Sequence, residues 1–516
     1  MTTEIVIVGG GTAGWLAAAY LARTLGGGAE PVSITLVESS AIGAIGVGEG
    51  TFPTIRATLA ALGVSEAAFL RGSSATFKQG VLFKGWSRAG DDYFHPFNLP
   101  FAGEAGDLTP YWLERQARGE PAQGRQVQGE QVAFADAVTA QGPVVAARRA
   151  PKRIQDPDFQ GPMNYAYHFD AARFADFLRG VAEGLGVRRL DDHVLGAEVD
   201  ERGWIRGVVT TGHGRIDGDI FIDCSGFRAV LIGETLGSPF HGVGDVLFND
   251  RAMAVQVPYD APDAQIASAT IATAHAAGWT WDIGLAERRG VGYVYSSRHT
   301  DDAAAEAVLR GHVGPAIETL SPRRLQFRTG YRQAQWIGNC VAIGLSAGFF
   351  EPLESTGIML IELAARVLGD LWPGVDRGRT EAAARAFNRL MLGRFERIVD
   401  FLKLHYCLSA RPEPYWRDNA DPDTTPGSLR DLLAAWRSRP MSRFDFVVDL
   451  ETFLPPSWQF VGYGMGLRAA PGAWTGRLAD PAAAARAFET VRLAGLEAPR
   501  RLPSHRELVE AYAARA

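Results

Sequence analysis

The chain has 516 residues, 47% of them hydrophobic and 21% charged, with a formal net charge of -6; that length expects two to three domains or one large interleaved pair, with the composition of a soluble globular protein. The mild acidity gives no basic stripe for nucleic acid, and no run approaches the roughly 18 apolar residues that span a bilayer. Cys224, Cys340 and Cys407 lack C-x-x-C spacing and the ten histidines form no H-x-x-x-H pair, so neither a disulfide framework nor a metal site is expected. The N-terminus enters a strand with no basic segment or cleavage site, and a cytoplasmic location is the expectation.

Glu4 to Leu25 reads EIVIVGGGTAGWLAAAYLARTL. Ile5 to Val8 is a β-branched run that suits a buried parallel strand. Gly9, Gly11 and Gly14 follow in G-x-G-x-x-G spacing around Thr12 and Ala13, and then come good helix formers. Gly9 permits the tight turn, Gly11 lets a pyrophosphate approach the backbone, and Gly14 lets the helix pack on the strand. A second strand, Val32 to Val37, ends in Glu38, whose carboxylate suits ribose hydroxyls. The pattern predicts an adenine dinucleotide site, without separating FAD from NAD.

Ala44 to Ile55 reads AIGVGEGTFPTI, a glycine-rich loop expected to be a ligand wall, with Pro53 opening a helix to about Leu62. Thr76 to Trp86 alternates like an extended segment, and Lys78 at its entrance reads, on composition alone, as a solvated surface residue. Aromatics around His95 in DYFHPF either line a pocket or anchor a loop. Residues 103–160 are polar and weakly periodic, an excursion with little chemistry. Asp170 is the expected N-cap of a helix carrying Phe174, Phe177, Leu178, Val181 and Leu185. Strands are expected at Val194 to Val199, Ile205 to Thr211, Asp219 to Asp223, Arg251 to Tyr259 and Gly292 to Ser296. Trp279 and Trp281, two apart, share a face if their segment is extended. Thr300 and Asp301 start a further helix.

Cys340 to Leu360 reads CVAIGLSAGFFEPLESTGIML. A strand meets Gly344, Gly348, Pro352 and Gly357 before a helix, so the N–H groups of Ser355, Thr356 and Gly357 offer an anion site. Read locally, Glu354 is a carboxylate capping that helix start. Beyond Thr380 the pattern is mostly helical, and composition sets a boundary near residue 375.

Together VGGGTAGW, GVGEGTFPTIR, TFKQG, FHPF, YHFDAARFADFL, DIFIDCSGFR, WTWDI, AIGLSAGFFEPLESTGI and LHYCLSAR resemble the flavin-dependent tryptophan halogenase family over nearly the whole chain. The resemblance implies a mixed α/β fold of the flavin monooxygenase type. A Rossmann-like FAD domain over 1–375 would carry an inserted substrate-side sheet at about 240–320, followed by a mainly helical part over 376–516. It implies reduced FAD from a separate NAD(P)H-dependent flavin reductase, O2, and chloride or bromide. A flavin hydroperoxide would oxidise the halide to hypohalous acid, which travels to a lysine that halogenates an electron-rich aromatic carbon. Homodimers are common in the family.

Residue by residue, Lys78 matches the halogen-carrying lysine and Glu354 its partner carboxylate. Thr356 and Gly357 match the halide-binding amides. Gly9, Gly11, Thr12, Ala13, Gly14, Glu38, Gly48 and Gly344 fall at the cofactor. His95 and Phe97 match residues that stack on indole, and Ser355 and Leu454 fall at the substrate pocket, Leu454 where an aromatic clamp is usual. Trp279 and Trp281 match the W-x-W-x-I-P signature, in which Gly284 replaces the proline and is expected to loosen the loop. With no recognisable cluster for the amino-acid head group, indole or an indole-like compound is the expected substrate rather than free tryptophan. An aromatic hydroxylase and an idle flavin-binding protein are the rival readings.

Overall fold

Thr3–Val8 and Val32–Glu38 form adjacent parallel strands around the glycine turn. The computed structural model describes residues 2–28, 30–42, 48–119 and 132–515. The Ala44 to Val47 part of the expected ligand wall and residues 120–131 of the expected excursion lie outside them. Contacts divide the chain into two units, each assembled from three separate segments. The first comprises Met1–Thr76, Ala166–Gly244 and Gln326–Phe395, the second Phe77–Tyr165, Asp245–Leu325 and Glu396–Ala516. This division differs from the single boundary near 375 because strands far apart in sequence pair with one another.

The first unit is built on a six-stranded sheet in the order Trp336–Ile337, Cys340–Ala342, Ile220–Asp223, Thr3–Val8, Val32–Glu38, Arg188–Asp191. All neighbours run parallel except Trp336–Ile337, which turns back on Cys340–Ala342. Ile5 to Val8 are 0–3% exposed, so both faces of the central strand are covered, as an unbroken apolar run requires. Helix Thr12–Leu25 packs against helices Ala171–Gly184 and Thr356–Asp370. Asp170 caps the former as expected, its carboxylate accepting from the Ala172 and Arg173 amides. Val8 lies opposite both Val37 and Asp223, so Gly9, Glu38 and Cys224 converge at the carboxyl end of the sheet, where open α/β sheets bind ligands.

In the second unit seven strands follow the order Arg323–Gln326, Arg251–Pro258, Arg288–Tyr295, Gly278–Gly284, Thr270–His275, Gly80–Lys84, Asp92–Pro96. Gly80–Lys84 joins Thr270–His275 in parallel, and the pairings from Arg251–Pro258 through Thr270–His275 are antiparallel. Helix Asp302–Val313, capped by Asp301, covers one face. Pro455–Gly464 packs on Asp92–Pro96. The stretch expected to be an excursion instead carries helices Thr109–Ala117, Phe134–Val138 and Gln141–Ala146, the last two packed against Pro481–Arg501. Short helices stabilised by distant partners leave little periodicity to read.

Candidate active site

In the first unit the glycine turn is a fitted cradle. Gly9 has φ +110, and a Cβ there would lie 2.2 Å from the Cys224 carbonyl oxygen. A Cβ on Gly14 would lie 1.8 Å from the Gly9 oxygen, whereas one on Gly11 would have nothing within 4 Å. Two of the glycines thus permit close backbone packing, and the third borders open space. Gly11 is the N-cap of helix Thr12–Leu25 and makes no side-chain capping bond, so the first-turn N–H groups, beginning at Thr12 and Ala13, suit a pyrophosphate. A Cβ on Gly344 (φ +79) would lie 2.7 Å from the Ala13 Cβ, which brings the strand end after Cys340–Ala342 to the same cradle. Gly48 immediately precedes strand Glu49–Gly50. Glu38 stands at its strand end, accepting from Arg189 Nε at 2.6 Å and Trp15 Nε1 at 3.3 Å. These residues fit an adenine dinucleotide.

The same unit contains the glycine-bordered turn before helix Thr356–Asp370. Glu354 (φ 60) and Ser355 (φ 58) both adopt the left-handed conformation, which costs a non-glycine residue on the order of 1 kcal/mol or more and marks functional turns. Consecutive turn residues of this kind gather backbone N–H groups into an anion-binding concavity. Ser355 makes no side-chain cap, and a Cβ on Gly357 would meet nothing within 4 Å. Thr356 is buried, and Glu354 is only 3% exposed. The N-cap position of helix Thr356–Asp370 is Ser355 and no side chain caps it, so the local reading of Glu354 as its cap is corrected. Sequence reasoning missed Glu362 on the same helix, whose carboxyl accepts from the Thr58 and Thr54 hydroxyls. Burial pushes it up to about 7, against the downward pull of those hydroxyls and Arg366. Its one signal was an acid inside the apolar run MLIELAA.

The second unit holds the lysine. Lys78 is 0% exposed, which overturns its reading as a surface residue, and its Nζ lies 5.3 Å from the centre of the Phe97 ring. Both chain neighbours are tethered. The Phe77 amide donates to His505 Nε2 at 2.9 Å, while the Gln79 amide donates to the Ser268 carbonyl at 2.8 Å and the Gln79 carbonyl accepts from the Phe97 amide at 3.1 Å. His95, opposite Val81 in the sheet, is buried against the rings of Phe401 and Phe460. Lys78, His95 and Phe97 therefore come together at one end of the sheet. Nothing in local spacing pointed to His505.

Trp279 and Trp281 share a face of Gly278–Gly284, their ring centroids 6.3 Å apart, with Trp86 packed on Trp279. Gly284 does not loosen this strand, contrary to the sequence expectation. It is buried and paired with Arg289, and a Cβ there would lie 2.8 Å from Ile266 Cγ2 and 3.1 Å from Tyr259 Oη. Leu454 is 46% exposed at the start of Pro455–Gly464, and the adjacent Phe453 turns inward to stack on Phe401 with centroids 3.8 Å apart.

A mainly parallel sheet ending in an open glycine cradle is the arrangement of dinucleotide-binding folds. Residues 4–479 match the family model described as tryptophan halogenase. The chain is 38% identical to tryptophan 6-halogenase SttH of Streptomyces toxytricini over 95% of this chain and 94% of that protein. A tryptophan halogenase from Shewanella frigidimarina superposes with a TM-score of 0.91 at 39% identity, covering 99% of this chain and 98% of that one. BrvH, a flavin-dependent halogenase from Brevundimonas sp. BAL3, gives 0.87 at 36% identity over 98% and 99%. The chain belongs to the tryptophan halogenase family of flavin-dependent enzymes. Among the described residues no helix is long and apolar enough to cross a membrane.

Proposed function

We propose that this enzyme halogenates tryptophan, using FADH2 from a separate NAD(P)H-dependent reductase, O2, and chloride or bromide. When bound, the reduced flavin with O2 supplies the oxidant that converts halide to hypohalous acid. The amides of Thr356 and Gly357 hold the halide. The Lys78 amine takes the halogen from hypohalous acid, forming an N–halogen bond as water leaves. An electron-rich ring carbon then takes the halogen from Nζ, the N–halogen electron pair returns to nitrogen, and Glu354 accepts the displaced ring proton, whose release balances the proton that nitrogen takes up to become the amine again.

The complete burial of Lys78 beside Phe97 carries this reading, because a dry site protects a reactive halogenated nitrogen from hydrolysis. Tryptophan replaces the indole expected from the sequence. The relatives at 38% and 39% identity are named for tryptophan, and the expectation of indole rested on Leu454 and on a head-group cluster that no local motif revealed.

Mass spectrometry of tryptophan and indole incubated with the enzyme, FAD, a flavin reductase, NADH, O2 and bromide tests the proposal. Brominated tryptophan that is lost in Lys78→Met while FAD still binds is the expected result. Oxygenated product that does not depend on halide, or bromination that survives Lys78→Met, refutes it.

A further inference from the structure

The hydrogen bond from Phe77 to His505 runs in one direction only. A backbone N–H is always a donor, so His505 Nε2 is the acceptor at 2.9 Å and carries no proton. The neutral ring must then be the Nδ1–H tautomer. His505 is 0% exposed. Burial pushes the imidazole down to about 4, with help from Arg506 and against the opposing influence of the Ile266 and Ala267 carbonyls. The Nε2 lone pair is thus available throughout the neutral range.

The surroundings make this a rigid mount. His505 is the first residue of helix His505–Ala513, capped by Ser504 through a reciprocal box with Glu507. The His505 amide donates to Arg148 O and the Ala150 amide to Pro503 O, both at 3.0 Å. Between them Arg149 offers its carbonyl to Gln79 Nε2 at 2.8 Å and Ser268 Oγ at 2.9 Å. The Phe77 ring is enclosed by Tyr165 at 5.4 Å, Tyr512 at 5.8 Å and the His505 ring at 6.0 Å. Lys78 therefore sits between two residues that are both anchored, one by His505 and one by the Arg148–Ala150 segment to which the His505 helix is itself bonded.

We infer that His505 is a positioning residue for Lys78, fixing the lysine backbone by accepting the Phe77 amide. This inference rests on the role proposed for Lys78. Misplacing a reacting group by about 1 Å costs up to about a hundredfold in rate, and His505 touches neither halide nor substrate in this role. It also lies beyond residue 479, where the match to the family model ends.

The test compares His505→Gln with His505→Asn in the flavin-loaded enzyme. Glutamine presents an amide oxygen near the place of Nε2, whereas asparagine is one carbon shorter and cannot reach. Brominated tryptophan formed per reduced flavin oxidised is expected to stay within about twofold of wild type in His505→Gln and to fall at least about tenfold in His505→Asn, with KM for tryptophan and FAD affinity unchanged in both. Equal activity of the two variants, high or low, overturns the inference. So does 15N NMR of the wild-type protein at neutral pH if it finds Nε2 protonated, a measurement that does not depend on either variant folding. Lys78→Met separates the two levels. Bromination that survives it defeats the proposed function, whereas bromination lost there but equal in the two His505 variants defeats only the positioning role.

Discussion

Thr58 donates its hydroxyl to Glu362 at 2.5 Å, and Thr54 donates to the second carboxyl oxygen at 3.2 Å, so a carboxyl on the helix that opens at the anion turn is gripped from helix Ile55–Ala61 and the residue before it. Burial raises this group to about 7 from its ordinary 4.5. Between those values the folded protein keeps a proton that the unfolded chain has lost, so stability declines as pH climbs from about 4.5 to about 7 and is level above that. The full cost is on the order of 3 kcal/mol. Glu362→Gln keeps an acceptor oxygen and cannot ionise. Calorimetry should give a Tm close to wild type near pH 5 and a higher Tm near pH 8; a difference that does not change with pH contradicts the assignment.

Two glycines of the cradle separate folding from cofactor binding. At Gly14 an added methyl meets the Gly9 oxygen at 1.8 Å, so Gly14→Ala should cost about 1–3 kcal/mol through forced backbone shifts. Gly11→Ala has open space and should melt like wild type while losing FAD affinity by tenfold or more, because its methyl occupies the approach of the pyrophosphate. Thermal melts paired with FAD titration by fluorescence distinguish the two. Equal FAD affinity in Gly11→Ala and wild type excludes a phosphate contact there.

Restoring the signature proline should harm the protein. Gly284→Pro places a ring where Ile266 and Tyr259 already approach within 2.8 Å and 3.1 Å, with an expected loss of about 3 kcal/mol. Urea unfolding gives the value directly. A Gly284→Pro variant as stable as wild type would mean that the strand end has room the geometry denies it.

The first βαβ unit was legible because its signals are local: a β-branched run, three spaced glycines and a strand ending in Glu38 lie within a few turns of chain. Asp170 and Asp301 were legible for the same reason, since an N-cap answers to amides two or three residues away. Long-range pairing left no such trace. Val81 lies opposite Thr270, and nothing near either residue announces the other. Lys78 shows where composition misleads, because lysine is rarely buried, and its neighbour Phe97 lies well along the chain, across a strand turn. His505 was hidden altogether, as its role depends on an amide at Phe77.

The central strand of the nucleotide sheet has one prompt neighbour and one late one. Thr3–Val8 meets Val32–Glu38 almost at once, but its other edge waits for Ile220–Asp223, which in turn waits for Cys340–Ala342. At translation rates of about 5–20 residues per second that first edge stays unpaired for tens of seconds, and an open apolar edge templates aggregation. The nascent chain is thus a natural client for chaperones that shield exposed strands, and recombinant yield should follow chaperone supply.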